Sequence, residues 1–223
     1  MSAVRVVHFS DTLCVWAYVA QVRLDELVKR FPGQVELETR FLNVFGNARG
    51  MLEARWAGKG GVDAYAAHVR TVAEKFDHVS LHPEVWSGHT PTSSMPSHLL
   101  LCAVRLLEGS GAVGPGTLQR TAWSIREMFF AGGADISRQS VLLQAAEEDG
   151  LPLAQIEQLL ASGEAQAALC EDLIMARDDV IRASPTILFN EGRQRLTGNV
   201  GYRIIEANVL ELVKRPAHEF SWC

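Results

Sequence analysis

Apolar and polar positions change period several times along the chain, and each change marks an element. Val4-Arg5-Val6-Val7-His8-Phe9 is rich in β-branched and aromatic residues and ends at the polar Ser10-Asp11-Thr12, which reads as a first strand. From Cys14 to about Arg30, Val15, Tyr18, Val19, Val22, Leu24, Leu27 and Val28 recur at helical spacing, and Phe31-Pro32-Gly33 stops the helix. Val35-Glu36-Leu37-Glu38-Thr39-Arg40-Phe41 alternates and reads as a second strand. From about residue 45 to residue 180 the pattern is nearly all helical, and it predicts helices over 62–76, 95–108, 117–130, 138–149, 152–161 and 164–179. Ser137 is the expected N-cap of the fourth of these, and Pro152 fits the first turn of the fifth. The run Gly109–Gly116 is a flexible break between two of them. Strands return at Thr186–Asn190 and Arg193–Leu196, with Glu191-Gly192 as a two-residue hairpin turn between them. A last helix runs from about Gly201 to Lys214 and is limited by Pro216.

The order is strand, helix, strand, long helical block, hairpin, helix. A β-α-β unit implies a right-handed crossover and two parallel strands. The hairpin and last helix can complete one mixed sheet covered on both faces. The fold class is therefore α/β, a thioredoxin-like mixed sheet with a large all-α insertion. Residues 1–44 and 181–223 form the thioredoxin-like domain, and residues 45–180 the helical insertion domain.

Composition narrows the function. With 48% hydrophobic and 21% charged residues, the 223-residue chain has apolar material for a substantial core. A net charge of −5 without a Lys/Arg run gives no electrostatic footprint for nucleic acid or an anionic membrane. No stretch approaches the roughly 18 apolar residues of a membrane span. Arg5 and His8 interrupt the N-terminal apolar run and no small-residue cleavage site follows, so a cytoplasmic location is expected. The four cysteines, Cys14, Cys102, Cys170 and Cys223, are widely scattered and have no zinc-site spacing. In a reducing compartment they are thiols. Cys102 and Cys170 lie in apolar helical runs and read as buried small hydrophobes.

Cys14 is different, because it stands where the first strand gives way to the first helix. Amide N–H groups and the helix dipole stabilise an anion there, so a thiol at such a place can ionise well below its usual pKa of about 8.5. Asp11 nearby would push the other way. The spacing Cys14-Val15-Trp16-Ala17 is that of a C-x-x-C redox motif with Ala17 in place of the second cysteine. A resolving attack from within the motif is therefore lost, and release of a mixed disulfide needs an external thiol. Ser10, Asp11 and Thr12 can also serve simply as helix caps.

Three stretches carry a family resemblance. Phe9–Tyr18 resembles the strand-to-helix active site of the DsbA-like superfamily, Ala183-Ser184-Pro185-Thr186-Ile187-Leu188-Phe189 its cis-proline segment, and Leu196–Tyr202 its closing turn into the last helix. That superfamily includes thiol–disulfide oxidoreductases of the DsbA and FrnE types, 2-hydroxychromene-2-carboxylate isomerases and kappa-class glutathione transferases. The resemblance implies a cis peptide bond at Ser184–Pro185 and a turn that faces Cys14. It implies Cys14 as catalytic nucleophile, with Ser10, Asp11, Trp16, Ala17, Ser184, Pro185 and Thr186 binding the thiol or disulfide substrate. It further implies glutathione as a co-substrate rather than an obligate cofactor, no metal, and a homodimer as an assembly open to the chain. Ala17 departs from the dithiol pattern. Phe41-Leu42-Asn43-Val44-Phe45-Gly46-Asn47 resembles the isomerase and transferase branch, whose members carry serine at the position of Cys14. The expected function is a single-cysteine oxidoreductase resolved by glutathione, another external thiol or, less simply, Cys223. A glutathione-dependent isomerase or transferase is the first alternative, and a non-catalytic binding protein the second.

Other patterns carry less. His68, His78, His82, His89 and His98 have no metal-site spacing and read as scattered surface histidines. Gly58-Lys59-Gly60-Gly61 lacks the framework of a phosphate loop and reads as a corner. Thr90–Ser97 reads as a loop and cap leading into a helix, in a part of the fold that overhangs the site.

Overall fold

The computed structural model describes residues 3–214, so Pro216 and Cys223 lie outside the described residues. β1 (Val4–Ser10) leads through a short loop into α1 (Val15–Arg30), which the Phe31–Gly33 turn ends before β2 (Val35–Phe41). The helical block follows as α2 (Ala48–Trp56), a 3₁₀ turn (Ala57–Lys59), α3 (Gly61–Ala73), α4 (Met95–Gly109), α5 (Thr117–Phe130), α6 (Gln139–Glu148), α7 (Leu153–Ala161) and α8 (Glu164–Asp178). β3 (Thr186–Phe189), β4 (Gln194–Thr197) and α9 (Tyr202–Lys214) close the chain. The strand order is β2-β1-β3-β4, with β1 parallel to β2 and antiparallel to β3, and β3 antiparallel to β4.

The central strands are apolar because both of their faces are covered. On one face Val4, Val6, Ile187 and Phe189 pack with Leu24, Leu27 and Phe31 of the α1 end and with Ile205, Val209 and Leu212 of α9. On the other, Val7, Phe9 and Leu188 meet Ala176 of α8 and Ile181. α1 belongs to two cores. Its second half lies on the sheet, while Val15, Ala17 and Tyr18 join the core of the helical block with Leu101, Ile125 and Phe130.

The structure corrects several local expectations. α2 has no counterpart in the predicted helices, since only Ala48 and Leu52 of it are buried and its period is correspondingly faint. Asn47 starts it, its side chain accepting the Gly50 N–H at 3.0 Å. Ser137 is not an N-cap: Arg138 holds that place, and the Ser137 hydroxyl turns back to Asp135. Pro152 sits at the N-cap of α7, one position before its first turn. The hairpin turn is not two residues long but spans Asn190–Arg193, with left-handed φ at Asn190, Glu191 and Gly192. Asn190 extends the pairing with β1, its N–H reaching the Arg5 carbonyl at 2.9 Å, which pushes the turn outward. Cys170 is exposed, because α8 turns Ala165, Ala168, Leu169, Asp172 and Ala176 inward instead.

Candidate functional site

The loop between β1 and α1 is held from several parts of the chain. Cys14 is the N-cap residue of α1, in extended conformation, and its carbonyl accepts the first helical bonds from Ala17 and Tyr18. Its thiol donates to the Ser184 carbonyl at 3.2 Å, and the Ser184–Pro185 peptide bond is cis. Ser184 also ties down the loop, its hydroxyl accepting the Asp11 N–H at 2.9 Å. The proline turn and the strand-to-helix junction therefore meet at the sulfur.

Asp11 organises this loop. Its side chain is fully buried and accepts the N–H groups of Leu13 at 2.9 Å and Phe45 at 2.8 Å, and the Ser94 hydroxyl at 2.8 Å. Burial nevertheless pushes its carboxyl up to about 6; those hydrogen bonds and the Arg126 charge offset only part of the desolvation. Thr12 is anchored to α4, donating its N–H to His98 Nε2 at 3.2 Å and sharing a 2.7 Å hydrogen bond with Ser97. His98 is fully buried and stacked on Phe41, not a surface histidine as the sequence suggests. Burial, then the Arg126 charge, holds it neutral with a pKa of about 3. Ser10 is buried and accepts a hydrogen bond from Arg126 of α5 at 2.9 Å.

The sulfur is pushed away from the anion, not towards it as the sequence suggests. Cys14 is only 7% exposed and sits in the core shared by Leu13, Val15, Phe45 and Tyr65. Burial pushes its thiol up. A hydrogen bond with the Ser184 side chain and the amides of Ala17 and Trp16 pull it down by less, and the Asp11 charge adds to the rise. The helix terminus is present and acts in the expected direction. It is outweighed because the α3 side of the helical block removes the water that an anion there needs. Tyr65 of α3 shares this setting: burial first, then the charges of Cys14 and Asp11, push its phenol well above the usual range.

The expected binding residues divide accordingly. Trp16 and Ser184 are half-buried beside Cys14 and open to solvent. Ser10, Asp11, Ala17 and Thr186 are buried, and Pro185 with them, so their side chains frame the sulfur rather than meet a ligand. Ala17 faces the core because position 17 is the inward face of the first turn of α1. Thr186 donates to the Ala183 carbonyl at 2.8 Å and so braces the proline turn. Sequence reading missed Tyr65, His98 and Arg126 as parts of the site, and held Phe45, Ser94 and Ser97 only inside the Phe41–Asn47 and Thr90–Ser97 stretches. Ser94 is the N-cap residue of α4, yet its hydroxyl serves Asp11 and makes no cap bond. Trp16 of α1, Trp56 of α2 and Tyr65 of α3 group around His68 at centroid distances of 6.3, 5.3 and 6.2 Å, and Trp16 and Trp56 pack on the apolar cluster that holds Cys14 and Tyr65. No group of three or more metal-binding side chains occurs among the described residues. No helix among them is long and apolar enough to cross a membrane.

Comparisons with known proteins agree with the fold. The sequence profile of the DSBA-like thioredoxin domain matches residues 5–209. A probable DsbA oxidoreductase from Streptomyces coelicolor has a TM-score of 0.74 at 18% identity, over 99% of this chain and 94% of its own. The cytosolic disulfide reductase DsbM from Pseudomonas aeruginosa gives 0.68 at 16% identity, over 93% and 99%, and its structure with GSH gives 0.67. A 2-hydroxychromene-2-carboxylate isomerase gives 0.65 at 13% identity, over 94% and 96%. No curated protein matches by sequence.

Proposed function

The chain belongs to the DSBA-like thioredoxin domain family, and on that premise we propose that it is a thiol–disulfide oxidoreductase working through Cys14 alone and resolved by glutathione. The observation that carries this reading is the Cys14 sulfur 3.2 Å from the Ser184 carbonyl at the cis-proline turn, with Ala17 where a second cysteine would stand. The other described cysteines offer no resolving thiol: Cys102 is buried beside Asp172 and Arg105, where desolvation pushes it up to about 12, and Cys170 lies exposed on α8.

In the first step Cys14 loses its proton to solvent base and its thiolate attacks one sulfur of a disulfide. That disulfide breaks. One half leaves as a thiolate and takes up a proton, and the other is held as a mixed disulfide on Cys14. A glutathione thiolate then attacks the substrate's sulfur, Cys14 leaves as thiolate, and the product is a substrate–glutathione disulfide. A second glutathione completes the reduction, yielding the free substrate thiol and glutathione disulfide. Ser184 and the cis-proline turn orient the incoming disulfide, and Trp16 forms one wall. Because burial raises the Cys14 thiol, the thiolate fraction below its pKa grows about tenfold per pH unit, and attack should accelerate steadily into the alkaline range. GSH in the structure of DsbM supports glutathione as the partner, and with it a cytoplasmic location.

The test is exchange with oxidised glutathione, followed by peptide-resolved mass spectrometry. Cys14 should gain one glutathione, and Cys14→Ser should reduce exchange to the background of the other cysteines. An unmodified Cys14 beside a modified, exposed Cys170 would refute the reading. The aromatic group of Trp16, Trp56, Tyr65 and His68, on the cluster that holds Cys14, favours a second reading, a glutathione-dependent isomerase or transferase for a small aromatic compound. Glutathione-dependent turnover of such a compound that survives in Cys14→Ser would replace the first reading with the second.

A further inference from the structure

Between the sheet, α1 and α5 the fold encloses a cavity of about 10 Å³, room for a single group the size of a water. Two of the side chains that line it are buried and carry an unused polar atom. Arg126 of α5 is 1% exposed; one terminal nitrogen donates to Gln21 Oε1 and the other to Ser10 Oγ at 2.9 Å, while Nε has no hydrogen-bond partner among the described residues. His8 of β1 is 3% exposed, and its Nε2 has no partner among them either. Burial, then the Arg126 charge, keeps the His8 ring neutral, so Nε2 can carry a hydrogen. Thr39 of β2 lines the same space. Its hydroxyl oxygen accepts from Gln119 Nε2 at 3.2 Å, which leaves the hydroxyl hydrogen free to turn inward.

This lining is rich in hydrogens and poor in acceptors. Gln21 is already occupied at both ends: its oxygen accepts from Arg126, and its nitrogen donates to the Gln119 carbonyl at 2.9 Å. Arg126 Nε, His8 Nε2 and the Thr39 hydroxyl are three donors on one small space, and a buried positive charge stands behind them. Arg126 forms no ion pair among the described residues, whereas Arg40 and Arg105 both pair with Asp172. Burying a cation without a paired anion is costly, more so than burying a neutral group. Asp11 spends its oxygens on Leu13, Phe45 and Ser94. Asp25 is the carboxylate in the cavity lining, but it is exposed on α1, where water screens it. A water in the cavity would bring no charge. A small anion accepts from all three donors and supplies the missing countercharge.

We propose that this cavity is a binding site for one monovalent anion of halide size, chloride in physiological solution, held by Arg126 Nε, His8 Nε2 and the Thr39 hydroxyl. The anion neutralises Arg126 and clamps α5 of the helical block to β1, β2 and α1 of the thioredoxin-like part. It stands apart from the thiol chemistry and does not depend on the reading of Cys14.

The experiment is urea unfolding in mixtures of potassium chloride and potassium gluconate at constant ionic strength, gluconate being too large for the cavity. Above the dissociation constant, the ratio of folded to unfolded protein should rise about tenfold for each tenfold rise in chloride, the slope of one bound ion. Asp25→Asn, at an exposed position, removes the carboxylate from the lining and should move this dependence to several-fold lower chloride. Thr39→Val removes one donor, keeps the shape and should move it several-fold higher. Crystals grown in bromide should show an anomalous peak within hydrogen-bond distance of Arg126 Nε and His8 Nε2. Stability that does not respond to chloride overturns the proposal, and so does a response that Asp25→Asn leaves unmoved. Both results are readable without crystals and even if Thr39→Val does not fold. A water in the cavity at high bromide also overturns it: solvent would then bridge Arg126 to Asp25, and Asp25→Asn should destabilise the protein equally at every chloride concentration. A bromide peak without chloride-dependent stability is binding at crystal concentration only and counts against the proposal in the same way.

Discussion

Residue by residue, this site is built from ionisable groups kept in their neutral form. His8 and His98 are both held at about 3 from an ordinary 6.5, by burial first and the Arg126 charge second. Asp11 is shifted the opposite way, from 3.8 to about 6. The signs oppose each other. As pH falls below about 6.5 the unfolded chain takes up protons on two histidines that the folded chain refuses until about 3, so stability present at neutral pH is lost on acidification. Asp11 takes up its proton earlier in the folded state, and between about 6 and 4 this adds stability. Two histidines outweigh one acid. From these three groups the net loss in that window is about 1.4 kcal/mol per pH unit, one proton's worth. Urea unfolding measured at pH steps, in wild type and in a His98 variant, should show the part that belongs to His98. In His98→Gln, whose amide oxygen can still accept the Thr12 N–H, the slope should fall by about 1.4 kcal/mol per pH unit. An unchanged slope would mean that His98 is not held neutral by the fold.

Between elements, charge does a different job. Asp172 of α8 is fully buried and accepts from Arg40 of β2, Arg105 of α4 and the Phe41 N–H at 3.0 Å. Glu38 then links Arg40 to Arg5 of β1. The ladder joins the edge of the sheet to the helical block. Asp172→Ala would leave two arginines facing each other and an unpaired strand amide. A loss of about 3–5 kcal/mol is expected, read as a lower urea midpoint. A variant within 1 kcal/mol of wild type would show that solvent, and not Asp172, satisfies the arginines. The same scale shows what sequence could convey. β2, the start of α1 and the boundaries of α5 follow from period and stop signals, because those elements bury one clear face, and α7 is bounded by Pro152 and Gly163. α2 escapes because Ala48 and Leu52 make only a faint period, and the hairpin turn is misjudged because Asn190 pairs with β1.

In the molecule as a whole, the helical block and the thioredoxin-like part share one core. Leu13, Val15, Tyr18 and Phe41 lie in the same apolar cluster as Leu101, Ile125 and Phe130. The chain is therefore expected to unfold in one transition. Tryptophan fluorescence, which sums over five tryptophans including the buried Trp86 of the helical block, and the loss of Cys14 protection from alkylation should give the same urea midpoint. Two separated midpoints would show that the insertion folds as an independent unit.

Apart from α2 and the length of the hairpin turn, the sequence by itself determined the elements, their order and the place of Cys14 at a strand-to-helix junction, since these follow from local period, turn chemistry and the handedness of a β-α-β crossover. It also carried the family, through three short stretches. Only the tertiary structure decided how the sulfur behaves. A thiol's ionisation depends on which atoms replace its water. Here those atoms come from Ser184, 170 positions away, and from α3, and the loop that carries the sulfur is held by His98, 86 positions from Thr12, and Arg126, 116 positions from Ser10. No local pattern encodes that company, because it is assembled only when the helical block closes over the end of the sheet.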